Sequence, residues 1–325
     1  MKAIIPVAGA GTRLRPHTYT TPKVLLPVAG RPMIGHILEQ LEGLPIDRTV
    51  MVVGQMGEKV RQYVDGSFKL PVDYLVQPVA GGLAQAIMLT REAVGDDDAL
   101  IILGDTVFET DFRAILSKQS SQIGVKEVDD PRRFGVVEHR DGRITRLVEK
   151  PDHPKTNLAI VGIYLIREMP RLYQAIDRLM AQGIKTRGEY QLTDALQLMI
   201  ESGCRMEAFP VEGWYDCGKP ETLLETNRVL LDKGRGAIAE LPGVVINHPV
   251  FIDPAARIER SVIGPHVSVS AGACILNSLV SDSIIGPGAV LDSAILTRSL
   301  VGEKALVKGR PRSVSLGDCS QDECH

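Results

Sequence analysis

Four near-continuous apolar runs open the chain: KAIIPVA from Lys2, TVMVVGQ from Thr49, VDYLVQ from Val72 and ALIILGD from Ala99. The stretches between them, RPMIGHILEQLEGL, GEKVRQYVDG and GLAQAIMLTREAV, read as amphipathic helices. Apolar strands alternating with such helices predict a doubly wound, mostly parallel α/β sheet. Ligands in these sheets sit beyond the carboxyl ends of the strands. The glycine-rich loop from Ala8 and the dipeptide Gly104-Asp105 would both lie there.

The pattern loosens from about 123 to 210. FGVVEHRDGRITRLVEKP reads as a hairpin turning at Asp141-Gly142, and LAIVGIYLI as a buried strand. PETLLETNRVLLDKG reads as a helix with Pro220 near its start and Gly234 as its stop. Then the character changes. RSVIGPHVSV, DSIIGPGAVL and RSLVGEKALV are versions of one phrase, with glycines at Gly264, Gly286 and Gly302. Aliphatics recur at six-residue steps, as in Ile263, Val269 and Ile275, and again in Ile285 and Leu291. That step predicts a hexapeptide β-helix, small and left-handed, in which each coil stacks on its neighbour. The organisation expected is therefore an α/β domain over 1–234, a linker over 235–243, the β-helix over 244–309 and a tail over 310–325.

Composition narrows the function classes. The 325 residues suggest two domains. Hydrophobic content of 44% supports a packed core, whereas aromatics at 4% are poor material for stacking on nucleic-acid bases. Net charge is −3, so no broad polyanion-binding face is expected. The five cysteines, Cys204, Cys217, Cys274, Cys319 and Cys324, form no C-x-x-C pair and suggest reduced thiols in a cytosol. Cys319, Cys324 and His325 read as a frayed polar end rather than a metal site. No signal peptide is visible and no apolar run approaches a membrane span. The expectation is a cytoplasmic protein without nucleic-acid or membrane partners.

The loop AGAGTRLRPHTYTTPK, from Ala8 to Lys23, carries the first candidate chemistry. Leu14 stands where a dinucleotide fingerprint needs its third glycine, and Thr12-Arg13 replace the G-K of a P-loop. The physics is similar all the same. Glycines let successive N–H groups approach an anion, and Arg13 adds a planar charged fork suited to phosphate. Lys23 supplies a second cation. Asp105 is expected at a strand's carboxyl end, and Asp216 lies in GWYDCG with the chain's only tryptophan. Either aspartate alone could be a turn residue. Two carboxylates facing a phosphate loop could instead hold Mg²⁺, which takes one or two carboxylates plus phosphates and water.

Together these segments resemble the sugar nucleotidyltransferases, and within them the glucose-1-phosphate thymidylyltransferases. The carriers are GAGTRLRPHTYTTPK, PVAGRPMI, QPVAGGLAQA, LGD, FGVVE, VEKP, RGEYQLTDAL and WYDCG, spread over nearly the whole chain. The chain departs in having Thr106 where short members carry Asn, and in its hexapeptide tail, which marks a longer subtype. The resemblance implies that Ala8, Gly9, Gly11, Thr12 and Arg13 cradle nucleotide phosphates and that Lys23 contacts the reacting phosphates. Gln77 and Gly82 would meet the base. Gly135, Glu149, Lys150, Val161 and Gly162, with Arg187, would line the sugar-phosphate site. Asp105 and Asp216 become the magnesium pair.

The reaction implied joins a nucleoside triphosphate, dTTP by this resemblance, to a sugar 1-phosphate, glucose 1-phosphate by the same token. The sugar phosphate is already an anion, so no general base is needed. Arg13, Lys23, Lys150 and Asp105 would carry catalysis by positioning and charge neutralisation. UTP or GTP as the nucleotide remains open, as does a non-catalytic regulatory paralogue. Such a paralogue would be expected to lack one of Arg13, Lys23, Asp105 or Asp216, and all four are present. An acyltransferase role for the β-helix would rest on His266, which reads as an exposed turn residue. The β-helix is expected to assemble a homo-oligomer.

Overall fold

A computed structural model describes residues 1–236 and 241–309. The tail, with Cys319, Cys324 and His325, lies outside the described residues, as do 237–240 of the expected linker. The chain divides into two compact units. One comprises Met1–Leu26 and Arg31–Thr226; the other comprises Pro27–Gly30 and the chain from Asn227 onward. The division thus falls inside the last helix, ahead of the glycine at 234.

The first unit is built on a nine-stranded sheet. Its strands are β1 (Lys2–Val7), β2 (Arg48–Val53), β3 (Val72–Val76), β4 (Ala99–Ile102), β6 (Ser121–Glu127), β7 (Gly135–Arg140), β8 (Arg143–Glu149), β9 (Leu158–Ile166) and β10 (Met206–Pro210). Two further strands, β5 (Thr106–Glu109) and β11 (Gly213–Asp216), pair with each other. The sheet order is β3-β2-β1-β4-β9-β6-β10-β8-β7. The first four strands are all parallel, as their continuous apolar runs predict. Ala3, Ile5 and Val7 enter one core cluster while Ile4 enters another, so both faces of β1 are covered.

Beyond β4 the sheet is mixed. β9 runs antiparallel to both β4 and β6. The hairpin β7–β8 turns at Asp141-Gly142, both at positive φ (51° and 78°), the backbone that a two-residue primed turn requires. The longer helices are α1 (Met33–Leu41), α2 (Gly57–Ser67), α3 (Leu83–Met88), α4 (Met169–Ala181), α5 (Leu192–Glu201) and α6 (Pro220–Leu230), with a short one over Phe112–Leu116. The expected helix from Gly82 to Val94 is broken. It stops at Met88 and a separate turn runs over Arg91–Val94.

The second unit is a parallel β-helix with three four-stranded sheets, one per face. Each coil contributes one short strand to each face, as in Val245↔Val262↔Leu279↔Ile295 along the first. Ile263, Val269, Ile275, Ile285 and Leu291 are all fully buried in its core, as the six-residue step requires. The glycine repeat is corrected by the register. Gly286 stacks on Gly302 in the next coil, but Gly264 follows the strand Val262–Ile263 on a different face. His266 is also corrected. Its ring is 18% exposed rather than free, with Nε2 2.8 Å from Asp232.

Candidate active site

The loop after β1 folds back on itself. Gly11 is left-handed (φ 60°), and a Cβ there would meet Lys23 Cβ and Thr18 Cγ2 at 3.0 Å. Thr18 Oγ1 donates to Gly11 O at 2.8 Å. The loop therefore closes tightly enough that only glycine fits at 11, and Lys23 is brought against its own loop. Lys23 Nζ donates to Asp105 Oδ2 at 2.8 Å. The lysine side chain is 8% exposed and the aspartate 44%.

Asp105 feels opposing effects. Burial pushes its carboxyl up, but Lys23, hydrogen bonds from Lys23 and Thr106, and the charge of Arg13 together hold it below the usual carboxylate range. It is ringed by protein on one side and open to a cavity on the other. Asp216 arrives from β11, whose register sets it opposite Thr106. Cys217 N donates to Asp105 O at 3.3 Å, so the two aspartates stand on adjoining chains. Asp216 Oδ1 accepts from Gly218 N at 2.9 Å. A Cβ on Gly218 would lie 2.8 Å from both Arg13 Nη2 and Asp216 Oδ1. Arg13 is thus seated over a glycine that leaves it room.

Two cavities adjoin here. The first, of about 380 Å³, is lined by Ala8, Gly9, Gly11, Thr12, Arg13, Lys23, Gln77, Gly82 and Asp105 among others. The second, of about 360 Å³, is lined by Gly135, Glu149, Lys150, Val161, Gly162 and Asp216. Arg13, Asp105, Leu83 and Leu103 line both. Arg187 lines neither; its guanidinium lies 3.4 Å from Lys150 O and 3.5 Å from Asp152.

Local backbone explains the second cavity. The β9–β6 register shifts between Ile160 and Tyr164, and bulges of this kind re-aim side chains next to sites. Gly162 there has φ 91° and packs on Leu103. Glu149 accepts from Thr193 Oγ1 at 2.7 Å and pairs with Lys150 Nζ at 2.9 Å. A side chain at Gly135 would crowd Glu149 Oε2 and Thr193 Oγ1.

Sequence reasoning passed over several lining residues. Glu189 faces the first cavity; Gln191, Thr193, Tyr164 and Trp214 face the second. Three of these lie in RGEYQLTDAL, where only Arg187 was singled out. The missing signal was a backbone one. Tyr190 N donates to Gly81 O and Ala84 N donates to Tyr190 O, both at 3.0 Å, so this segment docks on the loop that carries Gly82. The Trp214 indole N–H is buried with no hydrogen-bond partner among the described residues, and its ring stands edge-on to Phe134, centroids 4.9 Å apart. No group of three or more potential metal ligands occurs among the described residues. Asp105 and Asp216 remain as a two-carboxylate pair on one cavity, a donor set that fits a Mg²⁺ completed by phosphates and water.

Comparison with known proteins decides the family: the nucleotidyl transferase family matches residues 2–233. The chain belongs to that family. It is 33% identical to the low-salt glycan biosynthesis nucleotidyltransferase Agl11 of Haloferax volcanii, over 94% of this chain and 93% of that protein. It is also 33% identical to a glucose-1-phosphate thymidylyltransferase of Streptomyces griseus, over 96% and 94%. Among solved structures, one assigned to a glucose-1-phosphate thymidylyltransferase of Bacillus anthracis superposes with a TM-score of 0.62 at 32% identity, covering 74% of this chain and 98% of that one. As a nucleotidyl transferase the chain carries the sugar-nucleotide motifs in the loops that form the two cavities. No helix among the described residues is long and apolar enough to cross a membrane.

Proposed function

We propose that the protein transfers a nucleotidyl group from a nucleoside triphosphate to a sugar 1-phosphate, releasing pyrophosphate, with dTTP and glucose 1-phosphate as the preferred pair. The observation that carries this reading is the shared wall: Arg13 and Asp105 line both cavities. A reaction joining two phosphates needs a cation where two sites meet. The phosphate loop and Lys23 suit the triphosphate. Glu149, Thr193 and the unpartnered Trp214 N–H suit a polyhydroxylated ligand, because buried donors and acceptors seek partners.

The sugar phosphate oxygen attacks the α-phosphorus in line and pyrophosphate departs. Arg13 and Lys150 steady the charge that develops, and Lys23 leaves Asp105 for phosphate oxygens. Asp105 and Asp216 would hold Mg²⁺, which when bound supplies further charge neutralisation. Pyrophosphate release measured over four nucleoside triphosphates and several sugar 1-phosphates tests the reading. A maximum with UTP or GTP would replace the nucleotide while keeping the chemistry.

Gln77 is the base reader in this scheme. It is 8% exposed and its amide lies 3.1 Å from Gln85 Oε1, held where one edge faces the first cavity. Gln77→Ala is expected to raise the Michaelis constant for dTTP and narrow its advantage over UTP, since a polar reader discriminates by leaving the wrong base unpaired. An unchanged dTTP-to-UTP ratio removes Gln77 from that role.

The β-helix, left-handed in this reading, serves assembly rather than chemistry. Val245, Leu279 and Ile295 project from one face at 57%, 45% and 78% exposure, an apolar row that self-association would cover. Light scattering should report a multiple of the 35.3 kDa chain mass; a monomer at micromolar concentration overturns the assembly role.

A further inference from the structure

The four residues Pro27–Gly30 belong to the same compact unit as the β-helix, although they follow the active-site lysine almost directly in sequence. They form the tip of a tight hairpin between Pro27–Val28 and Arg31–Pro32. Ala29 and Gly30 both have positive φ, 47° and 81°. That backbone is ordinary for glycine but strained for an alanine. Something must hold Ala29 there.

Asn227 does so. Its Oδ1 accepts from Ala29 N at 2.9 Å and from Ser268 Oγ at 2.6 Å. Its Nδ2 donates to His266 O at 3.2 Å. The side chain is 1% exposed, Val28 is fully buried, and Ser268 is 1% exposed. The Phe251 ring of the first coil stands directly over Gly30, leaving no room for a Cβ. One buried amide thus ties the hairpin tip to the second coil of the β-helix. The hairpin's base leads straight back to the site: Leu26 O accepts from Met33 N at 3.2 Å and Leu26 N donates to Lys23 O at 3.1 Å.

We propose that Asn227 is a positioning residue for nucleotidyl transfer. By holding the 27–30 turn it fixes the chain that runs back to Lys23. This rests on the reading of Lys23 as a phosphate contact. Small displacements of a charged group from its working geometry are costly, on the order of 10²-fold for about 1 Å.

A double-mutant cycle on the full-length chain tests it, with each variant assayed well below its own melting temperature. Asn227→Ala should lower kcat roughly tenfold or more. Asn227→Asp keeps the acceptor for Ala29 N and Ser268 Oγ but sets a carboxylate oxygen against His266 O, so it should recover only part of that loss. In a Lys23→Ala background, Asn227→Ala should cost little more, because the group it positions is gone. Should Asn227→Ala fail to fold, Gly30→Ala displaces the same turn against Phe251 and enters the same cycle. Equal fractional losses in both backgrounds, or no loss in either variant, overturn the proposal. A Lys23→Ala enzyme of near wild-type rate is a different failure: it removes the role of Lys23 itself.

Discussion

Arg13→Lys is expected to lose on the order of 10²-fold or more in kcat although the charge is kept, the usual size of effect when one preorganised donor to the transition state is removed. Arg13 lines both cavities. Its guanidinium lies over Gly218 beside Asp216, so one fork can address both phosphates. A lysine ammonium is a compact point charge and cannot reproduce two parallel N–H···O bonds. Gly218→Ala supplies an independent check, because its methyl would collide with Arg13 Nη2 and should lower the rate in the same direction. Steady-state pyrophosphate release reads both. A loss of only a few-fold in Arg13→Lys would make the residue a surface cation and shift the charge work onto Lys23 and Lys150.

Asp105→Asn and Asp216→Asn should each abolish turnover while the protein stays folded. Asp216 is partly exposed and Asp105 is 44% exposed, so neither substitution buries a new group, although Asp105→Asn leaves the buried Lys23 ammonium facing a neutral amide and should also lower the melting temperature. The amide keeps the size and loses the charge, which removes a carboxylate that the proposed Mg²⁺ site would need. Titrating Mg²⁺ separates the outcomes. Near wild-type rate at saturating Mg²⁺ in either variant would end the metal assignment. The pH dependence has a definite sign. Because the Asp105 carboxyl is held below its ordinary value, its ion pair with Lys23 favours the folded state at neutral pH. That contribution is lost only as pH falls through the depressed value.

Much of the fold was legible in periodicity. The four leading apolar runs became β1 to β4: β1, β2 and β4 lie inside the sheet and are almost wholly buried, while β3, at the sheet edge, is only partly buried and carries Asp73. The six-residue step became the β-helix because one aliphatic per face is all that a coil can bury. The middle of the chain was harder. The strand β6 and the helices α4 and α5 were not singled out, and the antiparallel insertion of β9 beside β4 is a pairing choice between segments far apart in sequence. The repeat glycines misled in one respect, since a similar phrase can occupy different faces of a triangular coil.

For the site, the residue types named their own chemistry. Glycines beside an arginine, a lysine and two strand-end aspartates suggest phosphate binding; the glycines, Arg13, Lys23 and Asp105 line the first cavity, while Asp216 joins Arg13 and Asp105 on the second. Arg187 does not join them, because the segment 186–191 meets the site through its backbone and through Glu189 and Gln191. Sequence by itself pointed to the two-domain plan, to the glycine-rich loop with Arg13 and Lys23 and to the two aspartates as candidates, since each depends on local pattern or on intrinsic side-chain chemistry. Only the tertiary structure decided three other matters: that Lys23 lies on Asp105, that one arginine lines two cavities, and that the turn at Ala29 is gripped by Asn227 and the β-helix. Each joins residues distant in the chain, and such contacts follow from how elements pack rather than from any period along the sequence.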